Sequence, residues 1–140
     1  MVRNLLHKLI VVLGLTLWLG LFSFDAVASS TPERTAVNFI TAYFNSDLNS
    51  VFKEVQFSKK SLKDPEKSRQ RLIAWTKMSK DECLESGGLA NVKTELKQNP
   101  SLVEKGETLN MGVRIYFKNG NTEFSDILLI NLGDEWRVLF

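Results

Sequence analysis

The sequence predicts an α+β domain in which helices come first and an antiparallel sheet follows. Three observations carry that reading. Apolar residues recur at three- and four-residue spacing as far as Gly88, they alternate with polar residues in the strands after it, and Asn119-Gly120 stands between two such runs as a hairpin turn. The chain has 140 residues, 44% hydrophobic and 24% charged, the balance of a globular chain rather than a disordered or collagen-like one.

Residues 1–28 are expected to be a targeting segment. Arg3 and Lys8 precede an apolar run over Leu9–Phe24, and Ala26-Val27-Ala28 supplies the small–x–small pattern of a cleavage site, with the cut after Ala28. An uncleaved anchor is the alternative. The run spans about 24 Å as a helix, short of the roughly 30 Å hydrocarbon core, which favours the cleaved signal and a periplasmic or extracellular protein. The mature chain, residues 29–140, then has 16 basic against 15 acidic residues and room for one domain. The one histidine, His7, leaves with the segment and one cysteine, Cys83, stays. That excludes a Ser-His-Asp triad, a Cys-His pair, a His-ligated metal and an internal disulfide framework. No cofactor is expected.

In the mature chain Thr31-Pro32-Glu33 opens a first helix, because Thr caps, Pro suits the first helical position and Glu favours the positive end of the dipole. Its apolar stripe is Ala36, Val37, Ile40, Tyr43 and Phe44. Asp47 or Ser46 caps a shorter helix with Leu48, Val51, Phe52 and Val55. Asp64-Pro65-Glu66 opens a third, carrying Leu72, Ile73, Trp75 and Met78 and ending before Gly87-Gly88 in a left-handed cap. Strands follow at Leu89–Leu96, Thr108–Phe117, Thr122–Asn131 and Glu135–Phe140. With Asn119-Gly120 as a two-residue type I′ loop, Lys118 pairs with Asn121. Ile115 then faces Phe124, Val113 faces Asp126, Met111 faces Leu128 and Leu109 faces Ile130 on the core side. Ile127 and Leu129 fall on the other face as an apolar patch for a homodimer formed through the sheet.

Ser-Thr-Pro-Glu before a helix bearing Phe39, Tyr43 and Phe44, then Ser46-Asp47-Leu48, the Asn-Gly hairpin and the ending Gly133-Asp134-Glu135-Trp136-Arg137-Val138 together resemble secreted bacterial domains of the nuclear transport factor 2-like superfamily. The resemblance covers Thr31–Phe140. It implies a cone: a strongly curved antiparallel sheet around a long helix, with a cavity at the open end. The superfamily holds isomerases, dehydratases, transport factors that bind proteins and members without known activity. Its enzymes commonly use Asp, His or Tyr inside the cone, and the mature chain has no His to match.

Asp126 is the sharpest site candidate. On the core side it would be partly desolvated, with a raised pKa suited to proton transfer or to anchoring a polar ligand group. Tyr43, Trp75, Met111, Val113 and Phe124 complete the expected cavity wall. Residues Ser58–Lys80 carry eight basic side chains against Asp64 and Glu66, which makes either a solvated helix face or a weak contact for an anionic membrane. Without interleaved exposed aromatics, nucleic acid is not an expected partner. Cys83 sits among Asp81, Glu82 and Glu85, which disfavour a thiolate. The expected function is an exported, non-catalytic domain binding a small apolar ligand or a protein partner. The alternatives are a small lyase or isomerase with Asp126 as general base, and a dimerising structural module.

Overall fold

Helix boundaries follow the capping chemistry. In the computed structural model, which describes residues 30–140, helix α1 (Pro32–Asn45) begins where Thr31 Oγ1 accepts the Arg34 N–H at 3.2 Å. It ends at Ser46, the one non-glycine residue with positive φ (56°) among the described residues. Asp47 caps α2 (Leu48–Glu54) by accepting from the Ser50 N–H at 3.2 Å and the Ser50 hydroxyl at 2.6 Å. Those bonds hold the Asp47 carboxyl below its usual pKa. Asp64 caps α3 (Pro65–Glu85) through the Lys67 N–H. That helix closes on Gly87 and Gly88, both left-handed, with the Gly88 N–H donating to Cys83 O at 2.8 Å. The targeting segment and cleavage point expected in residues 1–28 lie outside the described residues.

The five strands are β1 (Val55–Gln56), β2 (Leu89–Leu96), β3 (Thr108–Phe117), β4 (Thr122–Asn131) and β5 (Trp136–Leu139). They form one curved sheet in the order β1-β5-β4-β3-β2. The sheet is antiparallel except where β1 runs parallel to β5, pairing Val55 with Val138. A two-residue strand has no period to read, so the sequence predicts the meander and not this edge. Leu109, Met111, Val113, Ile115 and Phe117 of β3 point inward against Ala36, Phe39, Ile40 and Phe44 of α1, all buried. Phe44 meets Phe117 edge to face at 5.6 Å.

The buried stripe of α3 is Ser68, Leu72, Thr76 and Cys83. Only Leu72 belongs to the expected stripe. Small polar residues can take these positions because their hydroxyls are satisfied, Thr76 Oγ1 donating to Leu72 O at 2.7 Å and Ser68 Oγ to Ser61 O at 2.9 Å. Trp75 is left 47% exposed and Met78 59% exposed. The basic residues of 59–80 are all exposed.

The hairpin corrects the expected register. Its loop has three residues, Lys118–Gly120, closed by the Phe117 N–H on Asn121 O (2.9 Å) and the Gly120 N–H on Phe117 O (3.0 Å). Gly120 takes φ 89°, the left-handed residue such a loop needs. The segment just after helix α3 holds this turn. Ser86 and Gly88 dock on the hairpin tip, where Gly88 O accepts the Lys118 N–H and Ser86 O accepts the Asn119 N–H. A one-residue slip turns every side chain of β4 over. Ile115 faces Glu123, Val113 faces Ser125, Met111 faces Ile127 and Leu109 faces Leu129.

Asp126 is therefore not on the core side. It lies opposite Gly112 on the outer face, where its carboxylate pairs with Lys97 Nζ at 2.6 Å and both side chains are about half exposed. Phe124 is likewise outside. Its ring lies over Gly112, where a Cβ would stand 2.9 Å from Cζ of the ring, so glycine leaves the space the aromatic covers. Ile127 and Leu129, expected as an exposed patch, belong to the inner face, and Leu129 is fully buried. Asp126→Asn is expected to cost under about 1 kcal/mol in urea unfolding, as for an exposed ion pair. A loss above about 2 kcal/mol would mean a buried, partnered carboxylate instead.

Candidate functional site

Strand β5 pairs with β4 only from Leu129 to Asn131. Beyond Val138 the chain leans toward β1: the Phe140 N–H donates to Gln56 O, and Phe140 O accepts from the Ser58 N–H (2.8 Å) and the Ser61 hydroxyl (2.7 Å). The sheet forks there. A groove of about 360 Å³ opens between the unpaired stretch of β4, helices α1 and α3, and the end of the chain. Phe39, Ile40, Tyr43 and Phe44 of α1 form one wall, and Leu72 and Trp75 of α3 with Phe140 form the other. Aromatic contacts stiffen both: Phe39 stacks on Tyr43 at 5.5 Å, and Trp75 meets Phe140 edge-on at 5.6 Å.

Of the six expected wall residues, Tyr43 and Trp75 line the groove. Asp126 borders it along the strand edge, with its carboxylate turned out to Lys97. Met111 and Val113 are fully buried in the core and do not line it, and Phe124 covers the outer face. The residues that replace them are Glu123 and Ser125, on the inner face of β4 and exposed to the groove, together with Phe140. Finding the first two required only a loop one residue longer. Among the described residues, no three His, Cys, Asp or Glu side chains converge on a point that would hold a metal.

Cys83 lies on the buried side of α3, 3% exposed. Burial raises its pKa, the Glu123 charge adds to the rise, and a hydrogen bond from Leu89 and the Lys118 charge oppose it. A raised pKa means less thiolate at a given pH, with reactivity recovered only as pH climbs toward the folded value. At pH 8 an aromatic disulfide reagent is expected to label the native protein at least about a hundredfold more slowly than the urea-unfolded chain. Equal rates would place the thiol at the surface.

Helices over one face of a curved five-stranded sheet, with an apolar groove where the sheet opens, define the nuclear transport factor 2-like fold, and this chain has it. Among solved structures, the crystal structure of a candidate NTF2-like transpeptidase from Campylobacter jejuni is similar, with a TM-score of 0.66 and 23% identity, over 79% of this chain and 99% of that one. No protein-family model matches the chain, and no curated protein matches it.

Proposed function

We propose that this chain is an exported, non-catalytic binding domain whose groove takes an apolar group of a ligand or protein partner. The observation that supports it is the aromatic groove itself. It holds about 360 Å³ of open space, and Trp75 stands half exposed at its rim. Pockets of this size with apolar walls and a few polar groups are what small-molecule and peptide sites look like. The acid–base alternative as built on Asp126 loses support, because that carboxylate pairs with Lys97 on the outer face, and the carboxylate that lines the groove is Glu123. Transpeptidation is the activity in the name of the Campylobacter protein; a cysteine-based route to it finds no support here, because the sole thiol is buried with a raised pKa.

Anilinonaphthalene sulfonate serves as an apolar probe. It is expected to bind the native domain saturably at one site, and Trp75→Ala and Tyr43→Ala should each weaken it about tenfold with circular dichroism unchanged. Binding that is unsaturable, or indifferent to both substitutions, would overturn the reading.

A further inference from the structure

Taking the groove as a binding site, we propose that its occupant is an extended segment of a partner polypeptide. The segment adds to the sheet as a strand along the free edge of β4 and sets a basic side chain against Glu123.

The backbone phase of β4 supplies the first argument. Hydrogen bonds to the β3 side are fixed at both ends of the strand, by the Phe117 N–H on Asn121 O and by the exchange between Asn131 and the Gly106–Glu107 turn. Antiparallel strands alternate their bonding partners, so odd-numbered residues of β4 bond toward β3 and even-numbered ones point away. Strand β5 uses the outward edge only from Leu129 onward. Nearer the hairpin, the N–H and C=O groups of Phe124 and Asp126 point to the free edge of β4 without a strand partner, and at Asp126 that edge borders the groove. Unpaired ladder groups beside an apolar cavity match one ligand chemistry well: another backbone in extended form, bonded at every second residue, with alternate side chains entering the cavity. A compact apolar small molecule would leave these groups unused.

Charge supplies the second argument. The Asp126 carboxylate is neutralised by Lys97 on the outer face. Glu123 is exposed, lines the groove, and has no ion pair or side-chain hydrogen bond among the described residues. The groove therefore presents one uncompensated negative group beside apolar walls, and a Lys or Arg on the incoming segment complements it.

The test uses blocked synthetic decapeptides that alternate apolar and polar residues around one central lysine. Two counterparts accompany them, one with glutamate for the lysine and one with alternate amides N-methylated. The lysine peptide is expected to bind, and to slow hydrogen exchange at the Phe124 and Asp126 amides about tenfold or more while leaving β2 unaffected. N-methylation should weaken it about tenfold by removing ladder donors, and Glu123→Lys should reverse the preference between lysine and glutamate peptides. If the N-methylated peptide binds equally well, or protection appears elsewhere, the added strand is wrong. If no peptide binds while anilinonaphthalene sulfonate still occupies the groove, the peptide falls and the binding site stands. If neither binds, both fall.

Discussion

Truncation after Gly133 is expected to leave a chain that no longer unfolds cooperatively. Strand β5 is a narrow element at an interior position, since it separates β1 from β4 in the sheet. Its Val138 is 5% exposed and pairs on both sides, with Val55 and with Leu129. Trp136 ties the strand to the start of the domain, its C=O accepting from the Thr35 hydroxyl at 3.2 Å and its N–H donating to Ser30 Oγ at 2.9 Å. Phe140 closes on Phe57 and Trp75. A single buried aromatic truncated to Ala costs about 3–5 kcal/mol, and a domain of this size holds about 5–15 kcal/mol in all. Losing Trp136, Val138 and Phe140 together, with the ladder on both sides, exceeds the reserve. Thermal melting by near-ultraviolet circular dichroism is the measurement. A truncated chain melting within a few degrees of the parent would mean that β5 is not part of the core.

The second large effect separates two adjacent leucines. Leu129→Ala is expected to cost about 3–5 kcal/mol, and Leu128→Ala under about 1 kcal/mol. Leu129 is fully buried opposite Leu109, itself fully buried, whereas Leu128 is 41% exposed on the outer face opposite Asn110. A two-residue hairpin loop predicts the reverse order, because it places Leu128 against Met111 in the core. Urea unfolding of the two variants therefore reads the register directly. Equal losses would mean that neither register holds over this part of β4.

The elements of the fold were legible wherever short-range chemistry decides them. Thr31-Pro32, Asp64-Pro65 and Gly87-Gly88 mark helix ends through their own side chains and φ values, and the structure begins α1 and α3 at the first two and closes α3 at the third. The alternation in Thr108–Phe117 delimits β3 to the residue. The site was less legible because it hangs on a single residue of loop length. Asn119-Gly120 has the composition of a two-residue turn, and the longer loop is selected by Ser86 and Gly88, which are distant in sequence from the hairpin and bind its tip. That choice exchanges Asp126 for Glu123 as the inner carboxylate. Tyr43 reached the groove because the periodicity of α1 does not depend on the hairpin, whereas Trp75 meets it at the rim, off the buried stripe of α3.

The clasp between Trp136 and the first turns of the domain also sets the order of events in folding. Its two hydrogen bonds join residues 101 and 106 positions apart, and the slot they hold shut, between β1 and β4, is filled by the strand that leaves the ribosome after the other four. At a synthesis rate of about 5–20 residues per second, the helices are complete seconds before the piece that joins them to β1, whereas β4 precedes it by only about 0.4–1.6 s. Long-range closure of this kind slows folding relative to the local helices. Until β5 docks, the outward edge of β4 is bare along its whole length, an open strand template that the clasp closes.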